Sequence, residues 1–122
     1  MELQELTAQI VRTLDKHKAI DVQVLEVGEL TSVADRFVIA SGGSTTQVKA
    51  LADYVEEELA KQGVHPLREE GYISAQWILL DYASVVVHVF LRDTRAFYDL
   101  ERLWVDAASL PIAQFLDSEE SQ

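Results

Sequence analysis

The stretch Gly42-Gly43-Ser44, at a strand-to-helix turn, is the part of this sequence that most invites chemistry. Backbone N–H groups at a helix start can hold phosphate, and nucleotidyl-transferring enzymes of mixed α/β fold place a Gly-Ser pair there. Such enzymes also need closely spaced carboxylates, usually Asp-x-Asp on a neighbouring strand, to hold magnesium against the triphosphate. Asp81 has no acid two residues away. Glu69 and Glu70 are adjacent, so on a strand they point to opposite faces. No lysine follows the glycines as a phosphate-binding P-loop requires. The turn therefore reads as a turn plus a helix cap.

Other chemistries fare no better. His17, His65 and His88 are far apart and form no His-Glu-x-x-His pair. His88 lies inside an apolar strand, where it reads as a core or interface histidine; His17 lies near a helix C-terminus, where an imidazole favours the dipole. The chain has no cysteine, which excludes a disulfide framework, a thiol nucleophile and a cysteine-based zinc site. No Gly-x-Ser-x-Gly elbow is present, and Ser41 and Ser84 have nothing to single them out as nucleophiles. No catalytic residue, metal or cofactor is expected.

The surrounding elements follow from periodicity. Leu3, Leu6, Ile10 and Leu14 recur at helical steps, predicting an amphipathic helix over 2–18. Asp21–Val27 and Arg36–Ser41 read as strands. Ser44 and Gln47 have capping-box spacing before a helix whose buried stripe is Val48, Leu51, Ala52, Val55 and Leu59, stopped at Gly63. Pro66–Glu70 is expected as a short edge strand, because Pro66 cannot donate to a ladder. Gln76–Tyr82 and Val85–Leu91 are near-continuous apolar runs joined by too few residues for anything but a hairpin. They are expected as central strands buried on both faces. Ala96, Phe97, Leu100, Leu103 and Trp104 fit one short helix, and the acidic end beyond 112 reads as a disordered tail.

The expected class is thus α/β (α+β): one domain over residues 1–112 with a mixed sheet sandwiched by helices, the crossover helix implying a parallel strand pair, followed by a tail over 113–122. At 122 residues, 48% hydrophobic and 25% charged, the chain suits a single packed core. The N-terminus resembles neither a secretory signal nor an organellar presequence, so a cytoplasmic location is expected.

The formal net charge is −11, from 21 acids against 10 scattered bases. Such a surface repels nucleic-acid backbones and attracts basic proteins; it equally serves plain solubility. Trp77, Tyr82, Phe97, Tyr98 and Trp104 accompany Asp81, Asp99, Glu101 and Asp106 in the second half. Aromatics beside acids suit an interface against a basic partner, or a core capped by solvated acids. For Phe97 and Leu100 the core reading is favoured, while Trp77 and Tyr82 fit either.

Several segments taken together are distinctive: Val24-Leu25-Glu26-Val27, then Leu30-Thr31-Ser32-Val33-Ala34-Asp35 and Phe37-Val38-Ile39-Ala40-Ser41-Gly42. They are followed by Gly71-Tyr72, Trp77–Tyr82, Val85–Phe90, and Phe97–Trp104 with Asp106-Ala107. In this order and spacing, over roughly residues 3 to 112, the chain resembles the ribosomal silencing factor (Iojap-like) family. Ala83 and Gly43 depart from residues common at those turns in the family, Gly and Asn respectively.

The resemblance implies a nucleotidyltransferase-like fold without the catalytic acids. It implies binding to the universal L-fourteen protein of the large ribosomal subunit at the inter-subunit face, which blocks joining of the small subunit and represses translation. It further implies a homodimer off the ribosome. On that reading Trp77, Asp81, Tyr82, His88, Tyr98, Asp99 and Glu101 are the candidate partner-binding residues. The rival readings are a vestigial nucleotide-binding enzyme centred on Gly42–Ser44 and a generic acidic dimerisation module.

Overall fold

The leucine and isoleucine stripe of the first segment folds as α1 (Leu3–Lys16), with Leu6, Ile10, Val11 and Leu14 buried. Its start is capped by the Glu2 carboxylate, which accepts from the backbone N–H groups of Gln4 at 3.0 Å and Glu5 at 2.7 Å. The computed structural model describes residues 1–120, with side chains through Leu116. The strands that follow are β1 (Ile20–Glu26) and β2 (Arg36–Gly42), an antiparallel pair.

Helix α2 (Thr45–Ala60) starts at Ser44, whose Oγ accepts from the Gln47 N–H at 3.1 Å. The return bond differs from the expected capping box: Gln47 Oε1 takes the N–H of Gly43 at 2.7 Å, one residue before the cap. Gly63, with φ of +76°, ends this stretch in the left-handed region.

The remaining strands are β3 (Arg68–Glu70), β4 (Trp77–Asp81), β5 (Val85–Leu91) and β6 (Ala108–Leu110), with α3 (Arg92–Tyr98) and α4 (Leu100–Leu103) between β5 and β6. Helix α5 (Ala113–Glu120) follows. Among the described residues six strands form one mixed sheet in the order β3-β4-β5-β2-β1-β6. The expected edge position of β3 and the β4–β5 hairpin are both found. The parallel partner of β2 is β5, not the strand that immediately follows the crossover helix. Strand β5, with six of its seven residues buried, takes the centre and pushes β3 to the rim.

Helices α1, α2 and α5 pack on one face, where Leu14, Val38, Leu51, Leu80 and Phe115 belong to one core cluster. The other face carries a smaller cluster, including Phe37, Ile39, Val86, Phe90 and Leu100, covered among the described residues by the α3–α4 segment, Trp104 and Ala107.

Three expectations are corrected, and one strand had no counterpart among them. Strand β4 is not buried on both faces: Ile78 and Leu80 are, whereas Trp77, Leu79 and Asp81 are half-exposed, because the thin covering layer does not reach across the sheet. The single helix expected around 96–104 breaks at Asp99, whose φ of 49° lies in the left-handed region. Strand β6 was hidden in a run too short to show a period; its pairing with β1 defines it. The tail expected to be disordered from 113 begins as α5, because Phe115 is fully buried against α1 and Arg36 lies over its ring. Residues 121 and 122 of that expected tail lie outside the described residues.

Candidate protein-binding site

Alternation along β4 and β5 places Trp77, Leu79, Asp81, Val86, His88 and Phe90 on the thinly covered face. Trp77 stacks on Phe90 at 4.7 Å between centroids and donates its indole N–H to Nδ1 of His88 at 3.1 Å. That bond fixes the neutral imidazole with its proton on Nε2, a buried atom with no partner among the described residues. Burial pushes the His88 pKa down to about 4. His88 is therefore a neutral hinge pin that holds the Trp77 ring from beneath. Nearly all of it is buried, which leaves almost no surface for a partner.

The indole meets Tyr98 at 5.2 Å, and Tyr98 meets Phe97 edge-on at 5.1 Å. Phe97 is 81% exposed, Tyr98 53%, and Leu103 and Val105 about three-quarters, so the segment bears an apolar ridge on its outer side. The expectation that Phe97 is core is overturned: the break at Asp99 turns Leu100 inward and leaves Phe97 outside. Leu100 is buried as expected.

What holds this ridge in place is Arg95, a residue the sequence reading passed over. Its guanidinium is buried and spans three elements. Nε and Nη2 donate to Glu101 at 3.0 and 2.9 Å, and Nη1 donates to the Asp21 carbonyl at 2.8 Å and Ser41 Oγ at 2.9 Å. The register of β1 slips between Ile20 and Gln23, and Asp21 takes a φ of 49°, which brings its carbonyl to the arginine. The one sequence signal for this hub is a basic residue six positions before an acid across a helix break. That spacing means nothing until the break is known.

The seven candidates do not all converge. Trp77, His88 and Tyr98 form one aromatic cluster, with Asp99 exposed at the adjoining break. Glu101 is occupied by Arg95 and acts inside the segment. Asp81 lies at the far end of β4, paired with Arg68 at 3.2 Å and accepting the Ala83 N–H at 2.8 Å. Tyr82 is the correction: it packs in the α2-side core, its hydroxyl buried, because one step past Asp81 the chain points to the opposite face.

The Gly42–Ser44 turn has its Gly43 N–H spent on Gln47, and the Gln47 N–H spent on Ser44. Among the described residues no group of three His, Asp or Glu side chains converges to hold a metal ion. None of the described helices is long and apolar enough to cross a membrane.

Residues 1–122 match the family model described as "Ribosomal silencing factor during starvation". A relative in Halalkalibacterium halodurans, named ribosomal silencing factor RsfS, is 41% identical over 92% of this chain and 96% of its own. A mouse protein named "Mitochondrial assembly of ribosomal large subunit protein 1" is 33% identical over 78% of this chain and 43% of its own. A crystal structure of a Chromobacterium violaceum protein superposes with a TM-score of 0.83 at 41% identity, covering 85% of this chain and 87% of that one.

Proposed function

This chain belongs to the ribosomal silencing factor family, and from that membership we propose that it represses translation by binding the large ribosomal subunit. It binds the inter-subunit face through a basic ribosomal protein and sterically blocks the small subunit from joining. No reaction is needed for this, and no cofactor. The observation that carries the reading is the exposed ridge of Phe97, Tyr98, Leu103 and Val105 on a segment pinned from behind by Arg95. Large exposed rings on a rigid support lose little entropy on docking, which is what a desolvated anchor requires. Asp99 at the break supplies a carboxylate beside the rings, and the −11 net charge steers a basic partner. The mouse relative, named for assembly of the large ribosomal subunit, agrees with that choice of subunit. Off the ribosome the same apolar ridge favours a homodimer, and the expected location is the cytoplasm.

Sedimentation of cell extract through a sucrose gradient tests the proposal. The protein co-migrates with free large subunits and is absent from joined ribosomes, and its affinity falls as salt rises. A protein that stays at the top of a low-salt gradient refutes the ribosomal reading. Tyr98→Ala weakens the co-migration at least tenfold if the ridge is the anchor.

A further inference from the structure

A specific protein interface buries about 800 Å² on each side, some twenty to thirty residues. The α3–α4 segment is too short to supply that alone. Its continuation is marked by the half-exposed face of β4, which runs from Trp77 through Leu79 to Asp81. At the Asp81 end, the start of the parallel pair β2–β5, lies a groove that the aromatic ridge does not reach.

This groove is built on the loop between β1 and β2. One side is a cavity of about 540 Å³, lined by Val33, Asp35 and Leu67 among others. The other is a cavity of about 570 Å³, lined by Glu29, Leu30 and Asp106, and the two share Gly28 and Asp35. Val33 is 63% exposed and Leu67 73%, both at the surface and facing no core. No lysine or arginine lines either cavity. Asp81 already has Arg68, but no ion pair among the described residues reaches Glu29, Asp35 or Asp106.

The loop is held rigidly. The N–H groups of Asp35 and Arg36 both donate to the Ser84 carbonyl, at 2.8 and 3.0 Å. Those of Val27 and Gly28 both donate to the Asp35 carbonyl, at 3.0 and 3.1 Å, and the Val33 N–H is held by Thr31 Oγ1 at 3.2 Å. Docking therefore costs little ordering entropy. The groove combines the exposed apolar side chains of Val33 and Leu67 with Glu29, Asp35 and Asp106, carboxylates that lack a countercharge among the described residues.

We propose that the groove between the β1–β2 loop and the β4–β5 hairpin is a second docking seat, which takes an extended basic stretch of a protein with an apolar residue between its lysines or arginines. Resting on the functional reading above, that stretch belongs to the same large-subunit partner that the aromatic ridge anchors. The apolar residue covers Val33 and Leu67, and the flanking cations meet Asp35, Glu29 and Asp106.

The test compares large-subunit affinity of the full chain with that of Val33→Lys/Leu67→Lys, Val33→Ala/Leu67→Ala and Tyr98→Ala. The lysine pair removes apolar contact and opposes a basic occupant. It weakens binding at least tenfold with an unchanged melting temperature, and the alanine pair weakens it several-fold. If both pairs bind like the parent while Tyr98→Ala fails, the second seat is wrong and the functional reading stands. If the parent itself does not bind large subunits, the functional reading falls and the seat's assignment falls with it.

Discussion

Acid tests the buried face most directly, because His88 makes a quantitative demand. The imidazole is 4% exposed, its Nδ1 occupied by Trp77 and its Nε2 without a partner among the described residues. Phe37 lies edge-on at 4.7 Å, and Phe90 and Trp77 complete an apolar wall. A proton on Nδ1 would cost both the indole hydrogen bond and the solvation of a charge. The folded pKa is accordingly pushed down to about 4, against an ordinary 6.5. As pH falls below 6.5 the unfolded chain takes the proton first, so this stability is complete above that pH. It is lost progressively down to the folded value near 4. At about 1.4 kcal/mol for each tenfold change in proton affinity, the loss is about 3 kcal/mol. Carboxylates titrate in the same range, so the quantity to measure is a difference. Urea midpoints of the parent and of His88→Gln, which keeps an acceptor for Trp77, are compared at pH 7.5 and 4.5. The parent loses about 2–3 kcal/mol more than the variant over that interval. If the two lose the same amount, His88 does not bear the burial cost deduced for it.

Three other perturbations have defined signs. Burial first, then Glu69 and Asp53, pushes the Glu56 carboxyl up to about 7, so the folded chain holds a proton that the unfolded one releases. That contribution is present below the ordinary carboxyl range and lost as pH rises through about 7, so Glu56→Gln raises the melting temperature more at pH 8 than at pH 5. Equal gains at both pH values would count against the deduction. Ala83, with φ of +71°, pays the left-handed penalty at the hairpin, and Ala83→Gly gains up to about 1 kcal/mol in chemical denaturation. Arg95→Met leaves Glu101, the Asp21 carbonyl and the buried Ser41 Oγ without their donor and costs about 3 kcal/mol, with amide exchange over residues 92–104 accelerating before that of β5. Uniform acceleration across the chain would show that Arg95 does not hold that segment specifically.

The parts legible in the sequence are those set by neighbours in the chain. The stripe of α1, the Ser44 cap, the stop at Gly63 and the β4–β5 hairpin all depend on contacts within a few residues. The motif segments were enough to place the chain in its family. The candidate site was legible only in part. Trp77, Tyr98 and Asp99 were singled out and lie on or beside the ridge, but composition could not say which aromatics are exposed.

Tertiary structure settled that. Phe97 is outside and Tyr82 inside because of a single left-handed residue at Asp99 and a single alternation step after Asp81. Phe115 is core because α1 and Arg36 happen to meet it. Arg95 matters because a slip in β1, some seventy positions away, turns a carbonyl toward it. Periodicity is a property of adjacent residues and is written in the chain. Which surface stays uncovered depends on how all the elements pack at once, and no short stretch of sequence encodes that.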